Sequence, residues 1–358
     1  MSSRITIRDV AEKAGVSVSS VHFALSGKKG VSEETREKIR RVADELGYHL
    51  NTSASLLKRR IQNITVCVPS EDDNTRFYFR PVWKGIRSFE EKNPEGASFH
   101  NIMFNPEDPS EARWEIRQRV ADGRVDGLLT VGTIDFTGDD WAEIARKGVS
   151  VGFVTVAPQN FRDFRCCVES NYRVIGRTMA EMIVSHIEPY GSIFLSAGNP
   201  GWFSHAGIVK GFDEYMFENR IPNMVYKDCS YTIDEQNYEH FKRAVSRPDV
   251  AACASVFSQG TIMLGKALEE TRKAGRIYAV GSDISPESVD MLRRKTYDAI
   301  LEKNPYAQGY VGLQSLYEDL VGQQPTGAKD GRILIGSEIV LRSNLPLFEE
   351  DRTRVLLV

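Results

Sequence analysis

Two groups of residues in this 358-residue chain have types and spacings that could do chemistry. Near the start, Ser17-Val-Ser-Ser20 leads into His22 and Phe23. Short hydroxyls and an imidazole can hydrogen-bond to base edges, and a valine can meet a thymine methyl. Further along, polar and aromatic side chains gather just after short apolar runs. Asp72 and Asp73 stand with Phe77 and Tyr78, behind Glu71; then come Thr133 and Asp135, Asn199, Trp202, Ser204 and His205, Gln259 beside Ser258, Asp283, and Lys303. Carboxylates and amides beside rings suit a polyol, because each hydroxyl needs a donor and an acceptor while the C–H face stacks on an aromatic.

Other chemistries find no pattern. Gly260-Thr-Ile-Met-Leu-Gly-Lys266 has phosphate-loop spacing, but Ala267 stands where a magnesium-holding Ser or Thr is needed. The six histidines show no His-x-x-x-His or mixed Cys/His spacing, and no Gly-x-Ser-x-Gly occurs. No cofactor, metal or enzymatic turnover is expected. The five cysteines are odd in number, lack a Cys-x-x-Cys pair and fall mostly in apolar runs, so they read as small reduced core residues. Nothing approaches the ~20 apolar residues of a bilayer span, and the first residues lack an apolar export segment, so a cytoplasmic protein is expected.

The elements that must position the first group are helices. Thr6 with Asp9 reads as an N-cap and a carboxylate near N3, ahead of Val10, Ala11 and Ala14 and a stop at Gly15. Ser17 caps a second helix with Val21, Ala24 and Leu25 inward and Val18, Ser19, His22 and Ser26 outward. Ser32 caps a third, with Ile39, Val42, Ala43 and Leu46 on its apolar face and Gly47 at its end. This is a helix-turn-helix, whose second helix normally enters the major groove. Asn51 to Lys58 is a weak helix that would not stand alone.

The net charge of −3 hides an asymmetry: residues 1–60 carry 12 Lys+Arg and 7 Asp+Glu, a balance of +5, leaving −8 on the rest. A basic head is an electrostatic footprint for a polyanion. Ile7-Arg-Asp-Val-Ala-Glu-Lys-Ala-Gly-Val-Ser17, Gly30-Val-Ser-Glu-Glu-Thr-Arg36, Glu45-Leu-Gly-Tyr48 and the Asn51–Lys58 segment resemble the head of the LacI/GalR family of bacterial transcription regulators. The resemblance implies a base-reading face at Val18, Ser19, Ser20, His22 and Phe23, and phosphate contacts at Thr6, Ser17, Ser26, Ser32, Thr35, Tyr48 and Asn51. It also implies a hinge helix, at Ala54, Leu57 and Lys58, wedging the minor groove. Phe23 departs from the arginine usual in that family, and is either a core or dimer-packing residue or a thymine-methyl contact.

In the body, Ile64–Val68, Val125–Val131, Val149–Val156, Ser192–Ser196, Ala251–Phe257 and Ile277–Gly281 are short β-branched runs of parallel strands buried on both faces. Helical spacing separates them, as in Val82, Ile86, Phe89 and in Val174, Ile175, Met179, Met182, Ile183. The pattern is too long for one sheet of ordinary width, so two α/β lobes are expected. Glu169-Ser-Asn171, Lys210-Gly-Phe212, Val280-Gly-Ser-Asp283 and Asn304-Pro-Tyr-Ala-Gln-Gly309 resemble the periplasmic-binding-protein-like (type I) α/β/α sensor of the same family, in which Asp283 would match the sugar-contacting aspartate. That family usually carries an arginine where this chain has His205-Ala-Gly-Ile-Val209, which leaves a different small effector open.

The expected organisation is a three-helix lambda-repressor-like head over 1–50, a hinge helix and linker over 51–61, and an effector-binding and dimerisation body over 62–358. Its N-lobe would comprise about 62–165 and 286–321, and its C-lobe about 166–285 and 322–345, with crossovers near 162–168, 284–288 and 322. No heptad repeat in Phe348–Val358 supports a tetramerising coil. The reading is a homodimeric, sequence-specific DNA-binding repressor of a pseudo-palindromic operator, controlled by a sugar-like effector, with no membrane partner. The alternative is a cytoplasmic solute-binding module whose head is vestigial or differently targeted; an enzyme on the same two-lobe fold is a third reading.

Overall fold

The computed structural model describes residues 6–25, 30–46, 48, 61–72, 75–93, 96–232, 234–322 and 331–349, the His22 side chain excepted. Ser26, Gly47, Asn51, Ala54, Leu57, Lys58, Asp73, the hinge helix and the end of the C-terminal tail lie outside the described residues. The chain divides into two compact units, Met1–Ile61 and Gln62–Val358.

The first unit holds three helices, α1 (Ile7–Ala14), α2 (Val18–Leu25) and α3 (Glu33–Leu46). Their apolar faces meet in a small core of Val10, Ala11, Ala14, Val21, Ala24, Ile39 and Ala43. The turn between α1 and α2 is set by Gly15 at φ +66°, where the Gly15 N–H donates to the Glu12 carbonyl and the Val16 N–H to that of Ala11. This left-handed cap is nearly free of strain only for glycine, and it redirects the chain within two residues. Arg36 is not one of the outward cations of α3: it is buried, and its guanidinium donates to the Phe23 and Ala24 carbonyls at 3.1 and 3.0 Å. A cation there satisfies carbonyls that the end of α2 leaves open.

The second unit contains two six-stranded sheets. The first runs β11-β5-β4-β3-β1-β2, all parallel, from β1 (Gln62–Pro69), β2 (Ala97–Phe104), β3 (Gly127–Thr130), β4 (Ser150–Val154), β5 (Cys166–Ser170) and β11 (Arg332–Ile335). The second runs β12-β10-β9-β8-β6-β7, from β6 (Ser192–Ser196), β7 (Val225–Asp228), β8 (Val250–Ser255), β9 (Tyr278–Ser282), β10 (Ala299–Glu302) and the antiparallel edge β12 (Glu338–Val340). Helices cover both: α4 (Arg76–Lys92), α5 (Ser110–Ala121), α6 (Gly138–Arg146) and α12 (Pro305–Leu320) on the first; α7 (Tyr172–Val184), α8 (Phe203–Glu218), α9 (Glu235–Ser246), α10 (Ser258–Glu270) and α11 (Pro286–Arg293) on the second.

The lobe boundaries differ from those expected. Residues 166–170 and 332–335 pair into the first sheet, and 286–302 belong to the second lobe, so the chain crosses near 170–172, 303–304 and 336–337. The reason is that Cys166-Cys-Val168 and Ala299-Ile-Leu301 each add one more strand to a sheet before the chain leaves it, although each apolar stretch is only three residues long. On α7, Ile175, Met179 and Ile183 form the buried stripe while Val174 points outward, half exposed. Four cysteines are buried, and burial pushes the Cys166 thiol up to about 12, but Cys229 is exposed and is not a core residue.

One packing detail places the candidate site. Gly85 of α4 and Gly309 of α12 sit at the crossing of the two helices: a Cβ on Gly85 would run into the Tyr306 carbonyl, and one on Gly309 into that of Val82. Backbone contact here seats the middle of α4 against the first turns of α12, and Tyr78 in the first turn of α4 reaches Gln308. Phosphate-loop chemistry at 260–266 is excluded, because the stretch is interior to α10. Among the described residues no helix is long and apolar enough to cross a membrane, and no group of three His, Cys, Asp or Glu could hold a metal.

Candidate functional site

In the head, three predicted phosphate-contact residues turn out to be helix N-caps. Thr6 donates to the Asp9 carboxylate from its N–H at 2.6 Å and from its hydroxyl at 2.7 Å, and these bonds hold the Asp9 carboxyl below the usual range. Ser17 Oγ accepts the Ser20 N–H at 3.0 Å and lies 2.8 Å from Ser20 Oγ. Ser32 Oγ accepts the Thr35 N–H at 3.3 Å, with the two hydroxyls 2.8 Å apart. Thr6, Ser17 and Ser32 are exposed, so three helix N-termini face solvent with partial positive charge and unused amides, the arrangement that receives phosphates.

Between two of these caps, Val18 is 42% exposed and Ser19 is exposed, while Val21 and Ala24 are buried. The exposed and core faces of α2 thus separate as the spacing predicts. Phe23 is 37% exposed and outside the head core; its ring lies against Gly30, where a Cβ would approach to 3.3 Å. Tyr48 is half-buried against the core, and burial lifts its hydroxyl above the usual value.

In the body, the structure gathers part of the predicted set at the carboxyl ends of the strands. Asp283 and Lys303 are 2% and 4% exposed and form an ion pair at 3.0 Å; Lys303 Nζ also donates to the Val256 carbonyl at 3.1 Å. Asp283 takes φ +67°, a strained backbone for an aspartate, and its Oδ1 is buried without a partner among the described residues. Burial pushes its carboxyl up, while the Lys303 charge and hydrogen bond and the Ser258 N–H pull it back. Lys303 Nζ lies 5.8 Å from the Tyr78 ring centre. The Tyr78 hydroxyl donates to Gln308 Oε1 at 3.0 Å, and burial pushes that hydroxyl well above its ordinary value.

His205 is buried in the first turn of α8. Its Nδ1 accepts the Asn199 N–H at 3.0 Å, and its ring stands 5.0 Å from both Trp202 and Phe257. Burial first, and the nearby Lys303 charge second, push its pKa down to about 3. Trp202 is half-buried and lies 5.6 Å from Tyr231. Asn199 Oδ1 accepts the Gly201 N–H at 2.8 Å, so Asn199 shapes the loop. Ser204 and Gln259 are half-buried on the opening turns of α8 and α10.

Other predicted residues make different contacts. Asp72 is exposed, Glu71 is paired with Arg87, and Phe77 lies beneath the Arg76 guanidinium at 4.3 Å. Thr133 and Asp135 are exposed; Arg113 donates to the Asp135 carbonyl at 2.7 Å, and no hydrogen bond or ion pair among the described residues joins either to the Asp283 cluster. Three residues were missed as site residues. Gln308, fully buried, donates to Ser170 Oγ at 2.9 Å and to the Lys303 carbonyl at 2.8 Å; Ser170 Oγ donates to that carbonyl at 2.7 Å; and Tyr172 donates to the Thr155 carbonyl at 2.9 Å. Gln308 stands inside the Asn304–Gly309 motif, so a signal for it existed.

A two-sheet body with a polar seam at its strand ends, and a capped helix-turn-helix ahead of it, is matched by known families. Residues 66–324 match the model described as "Periplasmic binding protein domain", and residues 6–51 the model described as "Bacterial regulatory proteins, lacI family". The chain belongs to the periplasmic-binding-protein domain family and carries a lacI-family head, the composition of a LacI-family regulator. It is 35% identical over 130 residues to the HTH-type transcriptional regulator MalR of Streptococcus pneumoniae, a stretch covering 35% of this chain and 38% of MalR. It is 29% identical over 129 residues to catabolite control protein A of Staphylococcus epidermidis, covering 36% and 37%. These matches span well under two thirds of either relative. In fold, it superposes on GanP, a glucose-galactose binding protein from Geobacillus stearothermophilus, with a TM-score of 0.66 at 19% identity, over 80% of this chain and 100% of that one.

Proposed function

We propose that the chain is a sequence-specific DNA-binding transcription regulator, a repressor, acting in the cytoplasm as a homodimer on a pseudo-palindromic operator. A small sugar or polyol effector, held between the lobes, sets its operator affinity. The observation that carries this reading is the pairing, in one chain, of an outward-facing α2 flanked by open helix N-termini with a two-lobed body holding a buried, unpartnered carboxylate oxygen at Asp283. That MalR and catabolite control protein A are named regulators, and GanP a sugar binder, supports it.

In this reading Val18, Ser19, Ser20, His22 and Phe23 read bases, and Thr6, Ser17, Ser32, Thr35 and Tyr48 hold phosphates. Ser26, Asn51, Ala54, Leu57 and Lys58 join them on the resemblance alone. The effector shifts a two-state equilibrium of the lobes by its differential affinity for the two states, and operator affinity changes by the coupled amount.

The test is operator selection from genomic DNA followed by anisotropy titrations at several salt concentrations. The expected result is a log affinity falling linearly with log salt, and loss of binding in Val18→Asp with the body's thermal transition unchanged. Binding that ignores both salt and Val18→Asp would refute the proposal.

A further inference from the structure

At the end of the second sheet opposite the Asp283 cluster lies a cavity of about 630 Å³, bounded by the amino ends of β6, β8 and β9. Its volume falls in the range of small-molecule sites, roughly 300–1,000 Å³. β6 and β9 are each 5 residues long, and at ~3.3 Å per residue about 16 Å of strand separates this cavity from the cleft. It is a different site.

Its walls carry flat rings and uncompensated positive charge. His186, just after α7, donates from Nδ1 to the Met182 carbonyl at 2.6 Å, and this bond holds the imidazole over the Tyr278 ring, 4.2 Å away and 8° from parallel. The stack covers one face of the imidazole. His186 is exposed and lines the cavity, so its other face is open to a planar ligand, on rings that are already ordered. Tyr190, in the turn ahead of β6, is held at φ +79° with its ring 83% exposed, and it lines the same cavity. The turn after α10 supplies Lys273, half-buried, and Arg276; neither side chain has a hydrogen bond or ion pair among the described residues. Of the two lining carboxylates, Asp249 is taken: Arg247 donates to both of its oxygens at 3.1 Å, and Ser192 Oγ donates to it at 2.8 Å. The Glu188 carboxylate has no such partner among the described residues. Unpaired side-chain charge is thus two positive against one negative.

Each feature selects part of a ligand. Two unpaired cations three residues apart suit an oxyanion of more than one charge, because each N–H···O⁻ bond is charge-assisted. An open imidazole face and an exposed tyrosine suit a planar ring and give little to a sugar phosphate without one. An unpaired carboxylate beside them accepts an N–H and repels a second anion, which keeps the phosphate end on the lysine and arginine. We infer that this cavity is a second ligand site, for a nucleoside phosphate whose base carries an amino group. The phosphate sits on Lys273 and Arg276, the base lies against His186 and Tyr190, and its amino N–H donates to Glu188. The inference does not depend on the reading of the cleft, and a failure of either leaves the other standing.

The experiment is calorimetric titration of the full chain with AMP and CMP, and with adenosine, cytidine, inorganic phosphate and pyrophosphate as the separated parts. The expected result is saturable binding of AMP or CMP, at least tenfold tighter than its nucleoside and than either inorganic anion. The double variant Lys273→Gln/Arg276→Gln should weaken that nucleotide at least tenfold with the thermal transition of the unliganded protein unchanged. Tyr190→Ala removes only an exposed ring and should weaken it severalfold, so the location is tested even if the double variant fails to fold. Absence of saturable binding by both nucleotides overturns the inference. Pyrophosphate or phosphate binding as tightly as the nucleotide overturns the ring half of it, a nucleoside binding as tightly overturns the anion half, and nucleotide binding unchanged in both variants overturns the location.

Discussion

The head and the body solve opposite problems with similar side chains. In the head, polar groups sit at the surface: Ser17 and Ser32 cap helices within three residues of themselves and still face water. In the body, the equivalent polarity is internal, and Tyr78 and Gln308 meet across 230 positions of sequence. Exposed hydroxyls on a rigid frame cost little and can accept many partners. A buried carboxylate cannot be left without compensation, so each polar neighbour in the body constrains the next. The difference teaches where damage should spread: changes in the head should alter binding more than folding, and changes in the body should do both.

That contrast would break most visibly at the buried pair. Asp283→Ala strands the Lys303 charge, and losing one partner of a buried ion pair costs about 3–5 kcal/mol. The body's thermal transition should fall sharply, with the head's helical signal retained. A change confined to ligand binding would show that the pair is solvated and the contrast overdrawn.

Acid should separate the two regions next. His205 has a folded pKa pushed down to about 3 from an ordinary 6.5. The unfolded chain therefore binds the extra proton first, and the stability tied to His205 is complete above about pH 6.5 and declines as the pH falls toward 3. Denaturant midpoints of the body taken across that window should slope downward, and His205→Gln should flatten the slope.

Arg36 tests the one buried cation among the head's described residues. Its bonds to the Phe23 and Ala24 carbonyls are charge-assisted, so Arg36→Met should lower the head's stability by about 2 kcal/mol. Operator binding should fall with it while the body's melting is unmoved. On the exposed face, Ser19→Ala should leave both transitions in place and cost about 1–3 kcal/mol of discrimination at one base position, read by competition between operator variants. The smallest effect belongs to the caps: Ser17→Ala should cost ~1 kcal/mol of helix stability, seen as a slightly earlier unfolding of the head.

The same contrast explains what could be read from the chain before its structure was known. Thr6 with Asp9, Gly15, Ser17 and Ser32 are signals that operate within one turn of helix, and each produces the element its spacing predicts. In the body, strands buried on both faces, such as Ile64–Val68, announce themselves as apolar runs. The edge strands β2, β7, β11 and β12 do not, because solvent on one side makes every second residue dispensable to the core. Asp283, His205 and Trp202 were within reach because they follow strands, where α/β sheets place ligands. Thr133 and Asp135 satisfy that rule as well but make no hydrogen bond or ion pair with the cluster among the described residues, since position after a strand does not say which side chains will meet. Convergence depends on helix crossings such as that of Gly85 and Gly309, a contact between distant segments that no local spacing reports.

Lys303 occupies the last position before the chain passes from the second lobe back to the first, and the next residue, Asn304, is held at φ +51°. Its side chain answers to Asp283 in the second lobe, while its carbonyl is gripped by Ser170 and Gln308 of the first. One residue is thus tied to both sheets, by its side chain to one and by its carbonyl to the other. The buried pair and the backbone of one chain crossing are therefore joined through a single residue, so on the proposed effector reading a disturbance of the pair reaches that crossing directly.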